Sequence, residues 1–133
     1  MTHILLDTHA WAWSLTADAR LSTAAFAAME QADTVSISAI SLFEIGQKVR
    51  LGKWPEMQPF LGSLARLADQ QGGRFVDVSP EASLLASTLD WAHRDPFDRI
   101  IGATAMTRGL TLISADTAFD GLAAEPKWLG RIW

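Results

Sequence analysis

The chain has 133 residues, of which 49% are apolar and six are tryptophan, so it reads as one folded domain, residues 1–133, with a single core, and the composition argues against disorder. It has no cysteine, which rules out disulfides and thiolate metal sites. A formal net charge of −4 gives no global field that draws in nucleic acid, so such a partner needs local basic residues or a bound cation.

In chain order, "HILL" (3–6) is a short apolar strand that runs into Asp7. No basic region precedes it, and no stretch reaches the roughly 18 uncharged apolar residues of a membrane span. The expectation is a soluble, cytoplasmic protein without a membrane partner. "HAWAWSL" (9–15) and "STAAFAAMEQA" (22–32) have helical character, the second with Ser22 as N-cap. Trp11 and Trp13, two apart, cannot face one core from one helix, which hints at self-association through one of them. "TVSIS" (34–38) is β-branched and alternating, hence a strand. "AISLFEIGQKVRLG" (39–52) has helical spacing with Gly52 as its stop. "QPFLGSLARLADQQGG" (58–73) reads as a helix closed by two glycines. "RFVDV" (74–78) is the third strand, and Pro80 opens the helix "EASLLASTLDWA" (81–92). Residues 98–108 form another helix, "LTLIS" (110–114) a fourth strand, and "LGRIW" (129–133) a short last one.

Strands alternating with helices predict an α/β fold with a mostly parallel sheet covered on both faces. In such folds ligands bind beyond the carboxyl ends of the strands, at a topological switch point. Asp7 follows the first strand, Asp116 the fourth, and Asp98 heads the helix leading into that fourth strand. Singly, each carboxylate has a plain role as a turn or cap residue. Glu44 lies mid-helix beside Ile40, Phe43 and Ile45, where a carboxylate needs a partner; the simple one is Lys48, four residues on. Jointly they are costly. Two carboxylates about 4 Å apart repel by about 4 kcal/mol at an effective dielectric of 20. A cation offsets this, and an all-oxygen site suits Mg²⁺, with Mn²⁺ as substitute. In-line hydrolysis of a phosphodiester is the matching chemistry.

"LLDTHAWAW" (5–13), "SLFEIGQKVRLGKW" (41–54), "RDPFDRIIGATA" (94–105) and "LISADTAF" (112–119), in this order and spacing, resemble the PIN-domain ribonucleases, and among them the VapC-type toxins of bacterial type II toxin–antitoxin pairs. The resemblance spans essentially the whole chain. It implies a three-layer α/β/α PIN-like domain acting as an endoribonuclease, held inactive by a cognate VapB-type antitoxin and often homodimeric. The family's acidic positions fall on Asp7, Glu44, Asp98 and Asp116, with Asp7, Asp98 and Asp116 as metal ligands. Its accompanying hydroxyls fall on Thr8 and Ser114. Asp95 competes with Asp98; Pro96 disfavours a helical backbone at Asp95, so Asp98 is the expected ligand and Asp95 a supporting neighbour. Lys48, Arg50, Lys53, Arg94 and Arg99 flank these positions as local attraction for phosphate, Lys48 and Arg99 closest to the acidic residues. His3, His9 and His93 lack metal-type spacing and read as structural or surface residues, with His9, close to Asp7, as the one candidate for touching substrate.

Other classes fit less well. A receiver-type phosphoacceptor wants an acidic pair near its first strand, and a haloacid-dehalogenase-like phosphatase wants Asp-x-Asp where this chain has Asp7-Thr8-His9. A catalytically silent PIN-fold partner-binding module is the alternative outside enzymes; intact acidic positions argue against it.

Overall fold

The computed structural model describes residues Met1–Trp133. Five strands, β1 (His3–Leu6), β2 (Thr34–Ser38), β3 (Gly73–Val76), β4 (Thr111–Ile113) and β5 (Arg131–Ile132), form one sheet in the order β3-β2-β1-β4-β5. Every neighbouring pair is parallel. Six α-helices connect them: α1 (Thr8–Thr16), α2 (Thr23–Gln31), α3 (Ala39–Arg50), α4 (Leu64–Gln70), α5 (Pro80–Thr88) and α6 (Pro96–Arg108). No helix is long and apolar enough to cross a membrane.

The central strand shows why the sheet is covered twice. Successive strand residues point to opposite faces. Ile4 and Leu6 pack on one side with Trp11, Ile37, Ile45 and Ile113, while Leu5 packs on the other with Ile101, Leu112 and Phe119. All three β1 side chains are fully buried, each worth about 1.5–3 kcal/mol of burial. This is a three-layer α/β/α sandwich. On its outer edge α5 meets α6 through Ala82, Ala86 and Ala103, small side chains that let the two helices approach.

Several elements depart from expectation. The helix expected over 58–73 is a 3-10 segment, Pro55–Ser63, followed by the short α4. Pro59 removes a backbone donor within it, and Gly62 adds chain freedom. The helix expected to run to residue 92 ends at Thr88, leaving 89–95 as a loop. Most relevant to the site, α6 begins at Pro96 rather than Asp98. Asp95 is its N-cap, accepting from the amides of Phe97 (2.8 Å) and Asp98 (3.4 Å). Proline favours the first helical position, where its missing N–H is harmless, so the cap falls on the residue before it.

From β1 the sheet grows one way through β2 and β3 and the other way through β4 and β5. The switch point lies between the carboxyl ends of β1 and β4, where Asp7 and Asp116 stand.

Candidate active site

Asp7 leaves β1 and caps α1, its Oδ1 accepting from the Ala10 amide at 2.8 Å. Asp116 caps the 3-10 turn after β4, accepting from Ala118. Asp98 sits in the first turn of α6. Together these three line one cavity of about 330 Å³ with His9, Trp13, Arg20 and Ala115. Two strand ends and one helix start thus bring carboxylates from the beginning and end of the chain to one point.

Burial sets their electrostatics. Desolvation pushes the Asp7 carboxyl from 3.8 up to about 7; the Ser114 hydroxyl and Ala10 amide oppose this, while the charges of Asp98 and Glu44 add to it. Asp98 rises to about 6, again chiefly by desolvation, with His93 pulling down and Asp95 and Glu44 pushing up. Raised carboxyls in a cleft mark a place where a proton or a cation is wanted.

Glu44 is buried (2% exposed) on α3. Its Oε2 holds the Lys48 ammonium, whereas Oε1 is buried without a hydrogen-bond partner. It does not line the cavity, but its charge is felt at both Asp7 and Asp98. Thr8 is buried, its hydroxyl 2.9 Å from that of Ser41. The Ser114 hydroxyl accepts from the Asp116 amide at 3.0 Å and so orients that turn.

Two residues have partners that the sequence reading did not name. Arg99 is engaged within the chain. Its guanidinium donates to the carbonyls of Ala86, Leu89, Trp91 and His93, with every nitrogen engaged, and it clamps the loop before α6. His93 is no bystander: its Nε2 lies 2.7 Å from Asp98 Oδ2. Single ligand atoms of His93, Asp98 and Asp116 lie within 4.8 Å of one another, close enough to share an ion. The only sequence signal is the position of His93 within the acidic segment, five residues before Asp98. Lys48, paired with Glu44, has a fixed place on α3 beside the site. Trp11 is wholly buried against Phe75, while Trp13 is half-buried beside His9 and Trp133. The Trp13 ring thus packs within the chain and along the cavity wall.

The residue set fits a divalent cation: Asp7 and Asp98 are raised carboxyls, Glu44 Oε1 is orphaned, and the donors are mostly hard oxygens.

Comparison with known proteins agrees with this geometry. A family profile described as "PIN domain" matches residues 4–125. Ribonuclease VapC22 of Mycobacterium tuberculosis is 36% identical over 117 residues, covering 87% of this chain and 88% of that protein. Among solved structures, VapBC-5 of M. tuberculosis, a member of the VapBC family of toxin–antitoxin systems, superposes with a TM-score of 0.68 at 17% identity, covering 98% of each chain. VapC20 of the same species, a sarcin–ricin loop cleaving toxin, gives 0.64 at 20% identity over 92% of this chain and 95% of that one.

Proposed function

From the premise that this chain belongs to the PIN domain family, we propose that it is an endoribonuclease toxin that hydrolyses RNA phosphodiester bonds and is neutralised by a cognate VapB-type antitoxin. The observation that carries this reading is the cavity at the β1/β4 switch point, into which Asp7, Asp98 and Asp116 converge. A 36% identical relative named as a ribonuclease supports the substrate class.

Asp7, Asp98 and Asp116 would hold the cation, Mg²⁺ with Mn²⁺ able to replace it. When bound, the ion polarises the phosphodiester and neutralises charge developing on the leaving oxygen. The chain's own residues prepare for this. Asp7, raised to about 7, and Asp98, raised to about 6, would ligate the cation in their ionised forms, which burial alone disfavours. His93 orients Asp98, and Arg99 in turn fixes the His93 loop. Glu44 is held in place by Lys48, and its charge acts on both Asp7 and Asp98. Asp95 supports Asp98 by capping its helix. We further assign the protein to the cytoplasm, as a single-domain protein that works as a homodimer.

The test is cleavage of single-stranded RNA by purified protein with Mg²⁺ or Mn²⁺. Asp98→Asn should lower kcat by at least about 100-fold, above the range seen for groups that only support a ligand. Asp95→Asn keeps an oxygen acceptor at the cap and should retain most activity. The reverse ranking of these two variants would assign the ligand to Asp95 instead.

A further inference from the structure

Beside the acidic cavity lies a cleft of about 490 Å³ whose walls include His9, Trp13, Arg20, Lys48, Lys53 and Trp54. His9, Trp13 and Arg20 line the acidic cavity too, so the two hollows share one wall. The His9 ring stacks on Trp54, centroids 4.6 Å apart and planes 25° apart, and meets Trp13 at 5.7 Å. Arg20 lies over Trp13 at 4.8 Å and the Lys48 ammonium over Trp54 at 5.6 Å. His9 is exposed, and Trp13 and Trp54 are half-exposed, unlike the wholly buried Trp11. The cleft also holds Asp18 and Glu56. Asp18 takes the Nε and Nη2 edge of Arg20, leaving Nη1 unbonded within the chain.

We propose that this cleft is a nucleobase subsite for single-stranded RNA: the ledge of Trp13, His9 and Trp54 stacks a base next to the scissile phosphodiester, and Arg20 and Lys53 hold the adjoining phosphate. The charge balance favours such a subsite. A chain of net charge −4, whose reaction centre is itself a group of carboxylates, gains little from long-range attraction to a polyanion. Stacking needs no net charge, since every base has a π-face, and aromatic ledges flanked by cations are how single strands are held with little sequence reading. The ledge also gives a use to the half-exposed Trp13 and Trp54, which the carboxylate chemistry leaves without one. The proposal rests on the endoribonuclease reading, so its test must separate the two.

The probe is a short fluorescent single-stranded RNA with 2′-O-methyl groups that block cleavage, and a series in which one nucleotide at a time is made abasic. Binding is followed by anisotropy in Mn²⁺, and KM and kcat are measured on the unmodified RNA. In the wild-type protein, one or two abasic positions should raise Kd by about tenfold. Trp54→Ala, outside the acidic cavity, should raise Kd and KM by a similar factor, leave kcat within a few-fold, and then be indifferent to those same abasic positions. A merely structural role would not produce that indifference. Trp54→Phe should keep most of the affinity, and exposed Lys53→Ala should reduce the salt slope by about one; these two keep the test open if an alanine variant folds poorly.

An unchanged Kd in Trp54→Ala, or a loss equal for every RNA in the series, overturns the subsite. So do variants that bind RNA normally but escape the antitoxin, which would make the cleft a protein-docking surface. If the wild type binds with base dependence yet cuts nothing, the endoribonuclease reading fails and the subsite stands. If it cuts without base dependence, the endoribonuclease reading stands and the subsite fails.

Discussion

The acidic cavity has a floor and a rim, and they are built by different physics. Asp7, on the floor, is 6% exposed and Glu44, whose charge it feels, 2%, whereas Asp116 on the rim is open to water. Both Asp7 and Asp116 follow neighbouring parallel strands and both cap the turn they begin. The same local role therefore yields a perturbed carboxyl in one place and a solvated one in the other. What separates them is burial: Asp7 is closed off from water and Asp116 is not. Floor residues couple the site to folding; rim residues are free to exchange water for ligand.

The largest effect that sharpens this contrast is the pH dependence of stability in chelator. The folded Asp7 carboxyl, raised from 3.8 to about 7, binds its proton more tightly than the unfolded chain does. The resulting stability is fully present below about pH 4 and is lost as pH rises through 7. The size is up to about 4 kcal/mol, and Asp98, raised to about 6, acts with the same sign over a lower window. The metal-free protein should therefore melt at a higher temperature at pH 5 than at pH 8. Asp7→Asn, which keeps the cap acceptor, should flatten that slope and melt above wild type at pH 8. Equal slopes in wild type and Asp7→Asn would erase the distinction between floor and rim.

A smaller effect comes from the cation. At 100 times its dissociation constant, Mn²⁺ should stabilise the wild type by about 2.7 kcal/mol. Asp7→Asn should gain clearly less in thermal melts, and Asp116→Asn should fall between, because water can replace a ligand on the rim. A full Mn²⁺ response in Asp7→Asn would reduce Asp7 to scaffolding. The smallest effect concerns neither floor nor rim. Asp95→Ala should destabilise by about 1 kcal/mol through loss of the α6 cap, and Asp95→Asn should not, as urea denaturation would resolve.

The strand ends are legible in the sequence because they combine short apolar runs with an abrupt carboxylate, and Asp7 and Asp116 need no more than that. The start of α6 is harder. Pro96 does disfavour a helical backbone at Asp95, but the same proline is a good first helical residue, and that moves the helix start two residues upstream. Residues 58–63 carry helical-looking apolar spacing that Pro59 overrides. Arg99 has no local signal for its fate, since the four carbonyls it gathers belong to the end of α5 and a loop whose path only tertiary packing defines. The roles of His93 and of the His9–Trp54 stack are hidden for the same reason: their partners are fixed by how loops return to the sheet.

The position of β1 in the sheet has a consequence for the protein's synthesis. β1 is made first, yet it completes its pairing only when β4 arrives, with Ile4 beside Thr111 and Leu6 beside Ile113. Asp98 and Asp116 also come late in this order, so a nascent polypeptide that has not yet exposed β4 lacks the other half of its own site. Contacts so distant in sequence form late. Under the proposed function, the growing chain is harmless to the RNA that surrounds it, and a polypeptide stalled before Thr111 emerges should cleave none.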